Sequence, residues 1–309
     1  MIALLAPGQG SQSPGMLAPW LEDPAAAETV AAWSEATGLD LARLGTTADA
    51  DEIKDTAVTQ PLVVVNALLA AARLADAVPT SLPASAPTAG HSVGELAAAA
   101  IAGVLTSDEA VRLAAIRGRA MADACALEPT GMAAVLGGEE SVVLARLEAL
   151  GLDPANRNGA GQIVAAGPQA AIEALEKEPP EGARRAAVLP VAGAFHTRFM
   201  APAEDAVRAA AAELSPGDPA RPLLTNSDGS VVKGGAAALD LLVAQVTRPV
   251  RWDSCMATLG ELGVTAVLEL PPAGTLVGLV RRDLKGVKTL ALKTPDDLDK
   301  AVALIEEHA

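Results

Sequence analysis

The sequence predicts a layered α/β fold with a smaller α+β unit inserted into it. Three observations carry that expectation. Helical and strand patterns alternate from residue 1 to about 122. A Gly-x-Ser-x-Gly motif at residues 90–94 lies where a short strand gives way to a helix. Residues 126–191 then carry a compact strand–helix series of their own before the larger pattern resumes.

The apolar run at 2–6 reads as a buried strand that enters Pro7-Gly8-Gln9-Gly10-Ser11-Gln12. A strand ending in such a loop can aim backbone N–H groups at an anion or oxyanion. An ordinary β-turn is the simpler reading. The loop lacks the Gly-Lys-Ser/Thr of a phosphate loop and the spacing of a dinucleotide fingerprint. A loop at 79–87 precedes a short strand at 88–90, and a strong helix former follows at 96–102, stopping near Gly103. Gly90 and Gly94 flank Ser92 where a Cβ would obstruct strand–helix packing. Residues 108–121 read as an amphipathic helix with Val111, Ala114 and Ala115 on one face.

In the inserted stretch, strands are expected at 131–137, 162–166 and 186–191. Helices are expected at 141–150, opened by Glu139 and Glu140, and at 169–177. The larger unit resumes with a helix at 202–214, strands at 223–226 and 266–270, and a terminal helix at 298–308. There are no repeats or long linkers. The expected division is 1–125 with 192–309 for the larger unit and 126–191 for the insert, with the active site between them.

The elbow places Ser92 as a candidate nucleophile, and the sequence holds three histidines to serve it. His308 is penultimate and expected to fray. His91 adjoins Ser92 on a tight turn, so its side chain should point away from the hydroxyl. His196 remains, approached through Gly193 and Ala194, and serine before histidine is the chain order of α/β-hydrolase-type elbow enzymes. A core or surface histidine is the competing reading. Asp253 and Glu269 are candidates for a third triad member, without distinguishing context. Arg117 read alone is a solvated helix charge like Arg112 and Arg119. Cys125 and Cys255 read as small buried hydrophobes rather than a disulfide or metal site.

Composition points to a soluble, cytoplasmic enzyme. The chain has 309 residues, enough for two units around a large core. Half are apolar, alanine dominates that half, and no apolar run approaches membrane length. The first residues are too short and lack the basic lead of a signal peptide. A net charge of −15 argues against nucleic acid as a partner.

Several motifs occur in a specific order: residues 7–12, 90–95, Arg117-Gly118, Gly131-Met132, 158–162, Ala194-Phe195-His196 and 245–252. Together they resemble the malonyl-CoA:acyl carrier protein transacylase family, from Met1 to about Thr294. The resemblance implies an α/β-hydrolase-like core with a ferredoxin-like insert. It also implies transfer of malonyl from malonyl-CoA to a carrier-protein thiol through a malonyl-serine, by a ping-pong route. It makes Ser92 the nucleophile and His196 the general base, with the N–H groups of Gln9 and Val93 as oxyanion hole. Arg117, assisted by His91, grips the malonyl carboxylate. The Gln245 backbone carbonyl orients His196, so no acidic triad member is needed. Met121 and Phe195 line the acyl pocket, Phe195 against an α-methyl branch. No cofactor, metal or membrane is implied, and a monomer is expected. The segment Leu270-Pro271-Pro272-Ala273-Gly274 departs from the family's Gly-Pro-Gly and must turn differently.

The chemistry agrees with the residues. A guanidinium is the best partner for a free carboxylate, and an acetyl group would leave it unpaired. A non-catalytic acyl-binding relative and a serine esterase are the alternatives; intact Ser92, His196 and Arg117 oppose the first and Arg117 opposes the second. An acidic carrier protein would need a local basic patch on an acidic chain. The candidates are Arg248, Arg251, Arg281, Arg282, Lys285, Lys288 and Lys293, with Arg184 and Arg185 as a second group. A histidine base with its ordinary pKa should fail below pH of about 6–7.

Overall fold

The computed structural model describes residues 1–78 and 82–309, so residues 79–81 of the loop expected at 79–87 lie outside the described residues. The larger unit opens with β1 (Ile2–Ala6), α1 (Pro24–Thr37), α2 (Leu41–Thr46), α3 (Thr56–Ala77), β2 (Thr88–Gly90), α4 (Gly94–Ile101) and α5 (Ser107–Cys125). The insert contributes β3 (Thr130–Gly137), α6 (Glu140–Ala149), β4 (Asp153–Arg157), β5 (Gln162–Pro168), α7 (Gln169–Lys177) and β6 (Ala183–Val188). The larger unit closes with α8 (Ala201–Ala211), α9 (Gly235–Ala244), β7 (Val250–Arg251), α10 (Trp252–Glu261), β8 (Ala266–Glu269), α11 (Thr275–Asp283), β9 (Lys288–Ala291) and α12 (Leu298–His308).

Local chemistry sets many of these ends. Asp23 caps α1 ahead of Pro24, and Asp55 caps α3. Thr106 and Glu109 form a reciprocal capping box at α5, each side chain satisfying the other's backbone N–H.

The larger unit holds a four-stranded parallel sheet in the order β2-β1-β8-β9. β1 is buried throughout, as its unbroken apolar run requires of a central parallel strand. Ala6 and Gly90 are register partners, so β1 and β2 end side by side and release their loops at one level. Ligands of open α/β sheets bind outside such carboxyl ends.

The insert's sheet has the order β6-β3-β5-β4, and β7 of the larger unit adds to it beside β4. Alternation sorts its two faces. Ala133, Val135, Ile163 and Ala165 pack with Val143, Leu147, Ile172 and Leu175 of the insert's own helices. Met132, Ala134, Val164 and Ala166 instead join the main core.

The structure departs from the sequence expectation in five places. β4 was not expected: its Asp, Pro, Asn and Arg are poor strand formers, and its pairing with β5 is irregular between Pro154 and Asn156. The last insert strand ends at Val188 rather than continuing through Pro190, which has no N–H for the ladder. Residues 223–226 form only isolated bridges at Leu223 and Leu224, and the chain then turns Asn226 under the elbow. His308 does not fray: it ends α12, and its Nδ1 lies 2.8 Å from Thr265 Oγ1. The α3 helix, by length and composition, is apolar enough to cross a membrane, with a mean hydropathy of 1.5 over 18 residues. Of that window 72% is buried against the rest of the fold, so its all-round apolarity is that of a core helix.

Ile172 is fully buried in the insert's core. Ile172→Ala should cost about 2–5 kcal/mol, read as a lowered urea midpoint by circular dichroism. An unchanged midpoint would show that this core contributes nothing to the cooperative unit.

Candidate active site

The loops leaving β1 and β2 build the site. His91 N–H donates to the Ala6 carbonyl at 3.0 Å, tying the two loops together. Ser92 then adopts φ 54°, in the left-handed region, before α4 begins at Gly94. A Cβ on Gly90 would stand 2.1 Å from the Gly94 carbonyl group, and one on Gly94 would stand 2.3 Å from the Ala6 oxygen. Both positions therefore require glycine.

Two buried side chains hold this strained turn. The Asn226 amide accepts from Ser92 N–H at 2.8 Å through Oδ1 and donates to the Gly90 carbonyl at 2.8 Å through Nδ2. Its own backbone N–H donates to Glu95 Oε1 at 2.8 Å. Gln245 Nε2 donates to the Ser92 carbonyl at 2.9 Å and to the Glu95 carboxylate.

His196 lies across the cleft, 3% exposed and also left-handed at φ 61°. Its Nε2 is 2.7 Å from Ser92 Oγ and its Nδ1 is 2.9 Å from the Gln245 carbonyl. A carbonyl only accepts, so Nδ1 carries the proton and Nε2 is free to accept from the serine hydroxyl. Two non-glycine residues under backbone strain face each other where chemistry is expected.

Arg117 on α5 is 2% exposed. It donates to Gln60 Oε1 at 2.6 Å and to Gln245 Oε1 at 2.9 Å, and Nη2 reaches Ser92 Oγ at 3.5 Å. No carboxylate pairs with it among the described residues. A buried guanidinium held by neutral amides keeps its charge for an incoming anion.

Burial drives the electrostatics. Desolvation lowers the Arg117 pKa to about 10, still protonated at neutral pH. Desolvation and then the Arg117 charge push His196 down to about 3. Burial raises the Glu95 carboxyl to about 8, against the pull of Asn226, Gln245 and Arg117. Burial likewise raises both thiols, Cys125 to about 11, so neither is an activated nucleophile.

The remaining expected residues divide. Among the described residues, the backbone N–H groups of Gln9 and Val93 donate to no protein acceptor, and Val93 begins the N-terminal end of α4. His91 turns away from Ser92: Nε2 lies 2.9 Å from Asn158 Oδ1, and the ring packs edge-on to Trp252 at 5.5 Å. Met121 is buried with its Sδ 3.4 Å from Gln60 Nε2, and Phe195 is buried in the main core beside His196. The conventional triad candidates are elsewhere. Asp253 pairs with Arg251, and Glu269 accepts the N–H groups of Gly274, Leu276 and Val277 at the start of α11. That capping shapes the divergent loop, where Gly274 has φ 141°. Gln60, Glu95 and Asn226 had no assigned role in the sequence reading. Glu95 is the nearest to a readable signal, as a charged residue inside an apolar helix right after the elbow.

A cleft of about 470 Å³ reaches the loops beside this cluster, at Gln9 and His91, while Ser92, His196 and Arg117 lie outside its lining. Gly8, Gln9 and His91 form one wall, Asn158, Gln162 and Val164 of the insert another, and Leu276 and Leu279 of α11 a third.

Comparison with known proteins shows the family. The acyl transferase domain model matches residues 4–299. The malonyl CoA-acyl carrier protein transacylase of Mycobacterium tuberculosis (strain ATCC 25618 / H37Rv) is 60% identical over 304 residues, covering 98% of this chain and 100% of the relative. That of Escherichia coli (strain K12) is 34% identical, covering 98% and 99%. The crystal structure of MCAT from Mycobacterium tuberculosis superposes with a TM-score of 0.94 at 60% identity, covering 98% of this chain and 99% of that one. The malonyl-CoA:acyl carrier protein transacylase of Helicobacter pylori superposes with a TM-score of 0.91 at 30% identity, covering 100% and 99%.

The depressed His196 pKa moves the acid limit from the pH 6–7 expected of an ordinary histidine. A lowered pKa leaves the imidazole neutral, and able to accept the Ser92 proton, well into acid. Modification of Ser92 by a serine-directed fluorophosphonate should therefore hold its rate within about twofold from pH 8 to pH 5. An ordinary histidine, with a pKa of about 6.5, would lose about 30-fold over that range. A loss of that size would place the His196 pKa near its reference value. The same shift costs stability as pH falls below about 6.5, because the unfolded chain then binds a proton that the folded one refuses.

Proposed function

The chain belongs to the acyl transferase family, among the malonyl CoA-acyl carrier protein transacylases, and we propose that it moves malonyl from malonyl-CoA to the phosphopantetheine thiol of an acyl carrier protein through a malonyl-Ser92 ester. The observation that carries the substrate choice is the buried Arg117, 3.5 Å from Ser92 Oγ and held only by amides. A malonyl thioester brings a carboxylate to that guanidinium while its thioester carbon meets the serine.

In the first half-reaction, Ser92 Oγ attacks the thioester carbon as its proton passes to His196 Nε2. The N–H groups of Gln9 and Val93 receive the oxyanion. The C–S bond breaks, and the CoA thiolate takes the proton back from His196. In the second, the carrier thiol gives its proton to His196 and attacks the ester. The C–Oγ bond breaks and Ser92 regains the proton. The Gln245 carbonyl keeps Nδ1–H in place throughout, doing the work of an acidic triad member without adding a charge beside Arg117. His91 is assigned to assist at the malonyl carboxylate; burial lowers its pKa, so it does so as a neutral imidazole. Met121 and Phe195 are assigned to the acyl pocket, and Phe195 to rejection of an α-methyl branch, on the strength of their placement beside Gln60 and His196.

We propose the cleft mouth as the docking surface for the carrier protein. Arg281 and Arg282 are exposed at the end of α11, whose Leu276 and Leu279 line the cleft. Arg248, Lys285, Lys288 and Lys293 are exposed as well, and so are Arg184 and Arg185 on the insert. Arg251 is committed to Asp253. The acidic global field makes such local basic residues the natural docking surface. We read residues 1–125 and 192–309 as an α/β-hydrolase-like unit around the β2-β1-β8-β9 sheet. We read 126–191 as ferredoxin-like, supported by its β-α-β-β-α-β order. A cytoplasmic site of action follows from the malonyl-CoA substrate.

Incubation with radiolabelled malonyl-CoA followed by denaturation should leave stable label on the wild type and none on Ser92→Ala; label on both would exclude Ser92 as the acyl carrier. Arg117→Ala should cost about 2–5 kcal/mol in kcat/KM for malonyl-CoA while sparing acetyl-CoA in relative terms. Equal kcat/KM for malonyl-CoA in wild type and variant would remove Arg117 from the substrate site.

A further inference from the structure

We propose that Glu95 is a positioning residue that fixes the polarity of the Gln245 amide, so that its oxygen and not its NH2 faces Arg117. The proposal rests on the reading of Arg117 as the carboxylate clamp and adds the group that orients the clamp.

A primary amide is nearly symmetric in shape but opposite in polarity at its two ends. Gln245 is held between a pure donor and a set of acceptors. On one side Arg117 Nη2 donates to Oε1 at 2.9 Å. On the other, Nε2 meets the Ser92 carbonyl at 2.9 Å, the Glu95 carboxylate, and Asn226 Oδ1 at 3.4 Å. Asn226 Oδ1 is already engaged by Ser92 N–H. Two acceptors therefore set the amide, the Ser92 carbonyl and the Glu95 carboxyl. Were the amide turned over, its NH2 would confront the guanidinium and its oxygen the acceptors.

Glu95 is itself fixed. It is 5% exposed on the first turn of α4, and Asn226 N–H donates to Oε1 while Gln245 Nε2 donates to Oε2. Both partners are donors, so both carboxyl oxygens are used as acceptors, and these two bonds favour the ionised form against the burial that raises its pKa. An amide at position 95 has only one accepting end. The Asn226 backbone N–H cannot turn over, so it keeps that end, and the NH2 then faces Gln245. Gln245 relieves the clash by turning over, which puts a donor against Arg117 and disorders the clamp. The Ser92–His196 pair loses the Gln245 Nε2 bond to the Ser92 carbonyl but keeps Asn226 on both sides of Ser92 and the Gln245 backbone carbonyl on His196.

The test compares two reactions of the same serine: acylation by malonyl-CoA, which needs Arg117, and modification by an uncharged fluorophosphonate, which does not. In E95Q, kcat/KM for malonyl-CoA should fall about 10- to 100-fold, mainly through KM, while the fluorophosphonate rate stays within about 3-fold of wild type. E95D keeps both accepting oxygens at shorter reach and should preserve the malonyl-to-fluorophosphonate ratio better than the isosteric E95Q. Equal losses in the two reactions, no loss in either, or E95Q outperforming E95D would each overturn the proposal, since shape rather than polarity would then matter. Should E95Q not fold by circular dichroism, E95D decides: a ratio within about 3-fold of wild type supports the proposal and a larger drop overturns it. Failure of the malonyl reading looks different, because the wild type would then react with fluorophosphonate and take no label from malonyl-CoA.

Discussion

A guanidinium buried without a carboxylate partner organises this protein. Arg117 cannot shed its charge at neutral pH and cannot share it with water. Two amides, Gln60 and Gln245, take its hydrogen bonds but not its charge. The same charge helps keep His196 neutral, which is the state a general base needs. An acidic residue behind His196 would change this balance: it would stabilise the imidazolium but also compete with the substrate for Arg117. A backbone carbonyl fixes the tautomer and adds no net charge.

Backbone strain is concentrated at the same place. Ser92 and His196 both occupy left-handed conformations that cost on the order of 1–3 kcal/mol each. The surroundings hold them there. Asn226 pins both sides of Ser92, and Gln245 pins the Ser92 carbonyl with its side chain and His196 with its backbone. One residue thus touches the nucleophile, the base and the guanidinium.

The two units meet through a shared sheet and a divided face. β7 of the larger unit extends the insert's sheet, and the inner face of that sheet packs into the main core. The cleft forms along this seam, with the β1 and β2 loops on one wall and Asn158 and Val164 on another. An approach lined partly by apolar side chains suits a transferase, which must keep water from the ester between two thiol substrates.

The sequence by itself determined the elements whose periodicity or capping is local. The helices α7 and α12, the amphipathic body of α5, the buried strand β1 and the elbow glycines were all legible. The ordered motifs also singled out Ser92, His196, Arg117 and Gln245, which the fold brings within hydrogen-bond reach of one another. The sequence hid β4, whose residues are poor strand formers and which exists because β5 and β7 flank it. It hid the core role of α3, since hydropathy cannot tell a membrane from a protein interior. It also hid the work of Gln60, Glu95 and Asn226. Their partners lie 57 to 150 residues away, and an amide or carboxyl takes its role from whichever donor or acceptor the fold places 3 Å from it. The depressed pKa of His196 is of the same kind, because desolvation belongs to the packed site and not to the residue.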